Sequence, residues 1–254
     1  MRAQTAMFGL CLAASLALPA APTFAQVKLE ELQGLKPGSA EAIIPLPSGA
    51  ALQGKGLDSW MSGLGPGGAT GIVRGFSSGA KTQEQKFFAL GGLFTALAVQ
   101  ARSSSTLDAT QAIHEFRQAL SQLQAPAGFF SYLSELELMV KSHEAGPELA
   151  GRLTGAMQGF LSEFVRSRGD AAFLSFQAGR WSTTLALAAR GRDASGLQLT
   201  AAHYFREQFS SLHASEAVLA PLAGLEALAA GDKLSEADFV QIEKLAERLR
   251  DQLS

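Results

Sequence analysis

Forty-four alanines and 37 leucines stand against seven valines and five isoleucines in this chain of 254 residues. No other feature of the sequence constrains the fold as tightly. Leucine and alanine give up little rotamer freedom in a helix, whereas strands draw on the β-branched residues that are scarce here. The imbalance predicts an all-α protein. Its length suits one large domain or two small ones, enough to bury a core without disulfide or metal staples. The 21 basic residues nearly balance the 23 acidic ones, so no basic footprint for nucleic acid is present.

The first 25 residues read as a signal peptide. Arg2 supplies the positive start, residues 7–18 form a short apolar run, and Thr23 and Ala25 stand three and one residues before a cut after Ala25. The run is too short to span a bilayer, which takes about 20 apolar residues. Cys11, the only cysteine, follows Leu10 in mid-run, where a lipoprotein signal needs a small residue. Cleavage therefore leaves a chain with no thiol, no transmembrane anchor, no disulfide, no cysteine nucleophile and no thiolate metal site. The expected location is periplasmic or secreted. ATP and reduced nicotinamides are cytoplasmic, which counts against nucleotide chemistry, and no cofactor is expected.

Between residues 34 and 79 lie 12 glycines and four prolines in 46 positions, a density that breaks helices. Residues 26–81 are accordingly expected to form a Gly/Pro-rich, loop-like segment packing on the body. From Thr82 onward only Pro126, Pro147 and Pro221 occur, and residues 82–254 read as a helical domain. Apolar spacing predicts helices near 83–102, 106–124, 127–143, 147–168, 170–190, 197–213, 215–230 and 235–253. Ser235 caps the last, with Asp238 in its first turn, and Phe239, Ile242, Leu245 and Leu249 fall on one face. Residues 87–99 carry no charge, which predicts a central helix buried on most sides. Gly151, Gly155 and Gly159, four apart, predict a ridge for close helix packing. The Leu187-Ala188-Ala189 and Leu228-Ala229-Ala230 echoes, each followed by Gly and Asp, leave two architectures open: an irregular multi-helix bundle or stacked helical hairpins.

The sharpest short motif is Gly75-Phe76-Ser77-Ser78-Gly79, which resembles the nucleophile elbow of α/β-hydrolases. That resemblance covers five residues and implies a serine hydrolase using Ser77 with His203 or His213 and an acid such as Asp170 or Asp193. It needs a parallel sheet that the composition does not supply. Ser78-Gly79-Ala80-Lys81 resembles the Ser-x-x-Lys element of penicillin-binding proteins, without their later Lys-Thr-Gly. Gly63-x-Gly65-x-x-Gly68 has no strand before it, and Gly79-Ala80-Lys81-Thr82 has the wrong spacing for a P-loop. His203 with Glu207 and His213 with Glu216 share helix faces, which raises a metal-sensing alternative, although no metal site is expected. Arg180-Trp181 and Tyr204 place large amphipathic side chains on core-like stripes and are the candidate binding residues.

These features predict an exported helical protein with a non-catalytic binding or scaffolding role. Its partner would be a protein or a small apolar ligand in the cell envelope, with no nucleic acid involved. The alternative is the serine hydrolase built on Ser77.

Overall fold

The computed structural model describes residues 82–101, 106–142, 157–231 and 233–253. The expected leader, the loop-like 26–81 segment with Ser77, and Gly151 and Gly155 lie outside the described residues. Within them the chain is all-α. Eight α-helices run in the order α1 (Gln83–Gln100), α2 (Thr106–Gln122), α3 (Ala127–Lys141), α4 (Gln158–Arg166), α5 (Asp170–Arg190), α6 (Ala201–Ser211), α7 (Glu216–Ala229) and α8 (Glu236–Leu253). A short 3-10 turn (Ala194–Gly196) links α5 to α6, and no strand occurs among the described residues.

Local chemistry sets the helix ends. At α1 the Thr82 hydroxyl accepts from the Gln85 backbone N–H at 3.2 Å, while Gln85 Oε1 accepts from the Thr82 N–H at 3.0 Å. This reciprocal box satisfies two N–H groups that a helix start leaves orphaned. Ser235 and Asp238 repeat it at α8, with the Ser235 N–H donating to Asp238 Oδ2 at 2.7 Å and the Asp238 N–H donating to Ser235 Oγ at 3.3 Å. The bonds from the Ser235 hydroxyl and backbone hold the Asp238 carboxyl below the usual carboxylate range. The two Leu-Ala-Ala echoes turn out to be two helix ends, at the close of α5 and of α7.

Two helices form the axis of the fold. In α1 every residue from Phe87 to Gln100 is buried, and in α5 every residue from Ala172 to Ala189 is buried. They pack on each other more extensively than on any other described helix; α8 packs along α5, α2 along α1, and α7 joins α8 to α6. A stack of hairpins would pair sequence neighbours in turn. Here the principal pairing joins helices about 85 residues apart, so of the two expected architectures the described helices form the irregular bundle. Arg190 fastens its rim: Nε meets Glu243 Oε1 at 2.5 Å and Nη2 meets Glu247 Oε1 at 2.7 Å, tying the end of α5 to α8.

The α1–α5 crossing is close enough to exclude side chains. A Cβ on Gly91 would lie 2.0 Å from the Phe176 carbonyl oxygen, and a Cβ on Gly179 would lie 2.0 Å from the Phe88 carbonyl oxygen. Backbone meets backbone from both sides. The expectation that Gly159 belongs to a close-packed ridge is corrected here, since a Cβ on Gly159 would meet nothing within 4 Å.

Alanine at position 91 or 179 must therefore push the central helices apart. Gly91→Ala or Gly179→Ala is expected to cost about 3 kcal/mol or more, lowering the melting temperature by about 6–12 °C, whereas Gly159→Ala, inside a helix with open space, is expected to be neutral or slightly stabilising. Thermal melts followed by circular dichroism check all three; equal melts for Gly91→Ala and Gly159→Ala would remove the crossing as the constraint.

Candidate functional site

Among the described residues, a concave apolar feature lies between α3 and α4. It is a groove of about 510 Å³ lined by Pro126, Gly128, Phe129 and Tyr132 from one side and by Met157, Phe160, Glu163, Phe164 and Ser167 from the other. Its shape follows from local sequence. Gln124 takes φ +52° in the turn after α2, Pro126 with φ −56° starts α3, and Gly128 in the first turn presents no side chain, so the groove mouth stays open. The floor is aromatic: the Phe129 ring stands edge-on to Phe164 at 5.7 Å and to Phe160 at 6.5 Å, and Phe164 reaches Phe87 of α1 at 6.1 Å. Phe129 and Phe164 are buried, but Phe160 is 65% exposed. Polar groups sit at the edge. Arg168 lies over the Phe164 ring at 5.2 Å, and Glu163 is exposed beside it.

The candidate residues chosen from sequence lie elsewhere. Trp181 is wholly buried, stacks on Phe205 of α6 at 4.8 Å, and donates from Nε1 to the Gln198 carbonyl at 2.9 Å. Tyr204 meets Phe205 edge-on at 5.3 Å, and burial pushes its hydroxyl up to about 12. Trp181 pins α6 against α5, while the contact of Tyr204 with Phe205 lies within α6. Arg180 is also buried, with its guanidinium 5.7 Å from the Phe94 ring and 5.9 Å from Phe176. Desolvation pulls it down to about 10, which still leaves it charged at neutral pH.

His203 and His213 are separated in role. Nδ1 of His203 lies 2.8 Å from Glu226 Oε1, and Nε2 lies 3.1 Å from Glu207 Oε1. Arg206 Nε reaches Glu226 Oε2 at 2.9 Å, closing a polar network between α6 and α7. His213 is exposed, in the turn after α6 at φ +57°. No group of three or more side chains able to hold a metal ion occurs among the described residues, and the two histidines are not joined in one. Asp170 stands in the first turn of α5 and Asp193 just beyond its end. Ser77 lies outside the described residues, so no geometry relates it to a histidine.

Sequence reasoning found Glu207 as a partner for His203 and missed Glu226, 23 positions away, which only the packing of α7 on α6 brings near. It also missed the groove. Phe160 falls three after Met157 and four before Phe164, the spacing of a core stripe, and periodicity alone does not tell a stripe covered by neighbouring helices from one left open. No protein-family model, curated protein or solved structure matches the chain.

Trp181→Phe removes the indole hydrogen bond and leaves a void at a fully buried position. The substitution is expected to cost about 2–3 kcal/mol, a fall of about 4–12 °C in Tm, with the groove unaffected; a melt indistinguishable from the unsubstituted protein would contradict the pinning role.

Proposed function

We propose that the protein is a non-catalytic binding protein of the cell envelope, exported by its first 25 residues, and that the groove between α3 and α4 takes a small apolar ligand. One observation carries the reading: an aromatic-floored recess of about 510 Å³ with Phe160 exposed at its side. Small-molecule sites typically occupy about 300–1,000 Å³ and are lined by apolar and aromatic side chains with a few polar groups for orientation. The groove has that make-up, with Glu163 and Ser167 as its polar members. A flat aromatic or short aliphatic body would shed its water against Phe129, Phe160 and Phe164, and each Å² of apolar surface buried contributes roughly 25 cal/mol before ordering costs. The Phe129, Phe164 and Phe87 rings pack the floor against α1, which favours a preformed groove and spares the ligand the cost of ordering it.

The neutral fluorophore N-phenyl-1-naphthylamine tests this directly. Its emission should rise and saturate with the purified protein. Gly128→Trp fills open space at the mouth, because a Cβ there meets nothing within 4 Å; it should weaken binding about tenfold or more, roughly the 1.4 kcal/mol that a tenfold change represents, while leaving the melt unchanged. Equal binding by the protein, Gly128→Trp and Phe160→Ala would refute the groove as the site.

Export has its own test. Mass spectrometry of protein recovered from a periplasmic extract should give a chain beginning at Gln26; a chain retaining residues 1–25 in the cytoplasmic fraction alone would remove the envelope from the reading.

A further inference from the structure

Arg180 is the one charged side chain wholly buried in the axis among the described residues. Its side chain is 1% exposed, and its Nη1 donates to Gln177 Oε1 at 3.3 Å. Nε and Nη2 are buried without a hydrogen-bond partner. These two N–H groups form one edge of the planar guanidinium and point in parallel, the edge that grips a carboxylate through two hydrogen bonds. Gln177, itself 1% exposed, adds a second buried donor without a partner at Nε2. Glutamine thus fixes the far corner of the fork and leaves the gripping edge and an amide donor unused.

Two other accounts fall short. The Phe94 and Phe176 rings attract the cation, but they lie 5.7 and 5.9 Å from its centre and supply no acceptor in line with the paired N–H groups. Arg166 also has unpaired Nε and Nη2 atoms, yet it is only half-buried and can swing towards solvent. Arg180 lacks that freedom. It follows Gly179, whose backbone is pressed against Phe88, so α5 cannot rotate to carry the side chain out. Natural proteins keep a buried charge where something pairs with it, because an unpaired one is strongly destabilising.

We infer that Arg180 and Gln177 form a buried receptor for a single carboxylate, that of a small aliphatic acid whose body lies against Phe94 and Phe176. A carboxylate matches the two parallel donors, and the rings favour an apolar body over a hydrated one. This site is separate from the groove between α3 and α4, and neither proposal rests on the other.

Thermal melts of the purified protein in acetate, butyrate and hexanoate, with chloride and nitrate at the same ionic strength and pH, decide it. The aliphatic carboxylates should raise Tm saturably, and more so than chloride or nitrate. Arg180→Lys keeps the charge but loses the fork, and should raise the half-saturating concentration about tenfold. Arg180→Met should abolish the response while leaving the melt in chloride unchanged or higher, since an apolar side chain of similar length carries no desolvation cost. Should the methionine variant fail to fold, the anion series and the lysine variant still decide. The inference is overturned by carboxylates doing no more than chloride, by nitrate matching or exceeding them, or by either variant responding as the original protein does.

Discussion

The contact between the backbones of α1 and α5 sets the terms for the rest of the molecule. With no side chain at Gly91 or Gly179, each glycine admits a carbonyl of the opposite helix, Phe176 on one side and Phe88 on the other. Helices in contact at that distance gain dense dispersion contacts along their length and fix each other's rotation. Fixed rotation then dictates which residues face inward, and it presents Phe87, Phe94, Phe173 and Trp181 to the surrounding helices as a ready core. The outer helices need only one apolar face each, as α8 shows, while α1 and α5 must be apolar nearly all round.

A helix buried on every side has nowhere to send polar side chains except back to its own or its partner's backbone. Two hydroxyl residues of α5 and one of α1 do this. Ser182 Oγ donates to the Gly179 carbonyl, Thr184 Oγ1 to that of Arg180, and Thr95 of α1 reaches the same Arg180 carbonyl from across the crossing. Hydroxyls are small enough for that local solution. A guanidinium is not, having five donors and a charge, so Arg180 exposes the limit of self-satisfaction in a packed axis. Its placement beside the glycine contact turns a packing constraint into a fixed, desolvated cation.

What the sequence made legible follows the same physics. The charge-free stretch 87–99 and the one-faced pattern of α8 are local signals, and the structure buries the first on all sides and the second on one. Composition excluded a sheet because strands need residues that the chain lacks, and the described residues hold none. Long-range facts left no such trace. Glycines 91 and 179 are 88 positions apart, and neither has the four-residue spacing that drew attention to Gly159. Glu226 meets His203 only because α7 folds back on α6. Trp181 and Tyr204 read as contact residues from their chemistry; the structure buries both, and Trp181 holds α6 on α5 through Phe205. Ser77 and its Gly-x-Ser-x-Gly setting lie outside the described residues.

The groove and the axis are joined through rings. Phe164, on the groove floor, touches Phe129 on one side and Phe87 on the other, and Phe87 precedes the residue whose carbonyl abuts Gly179. The floor of the groove is therefore one ring removed from the α1–α5 crossing. In the proposed reading, selectivity falls to the groove's mouth, where Phe160 of α4 is exposed and Gly128 of α3 leaves room. Ligand size would then be set at the mouth by Gly128 and Phe160, and affinity at the floor by Phe129 and Phe164. That division separates substitutions that change what fits from substitutions that change whether the protein folds.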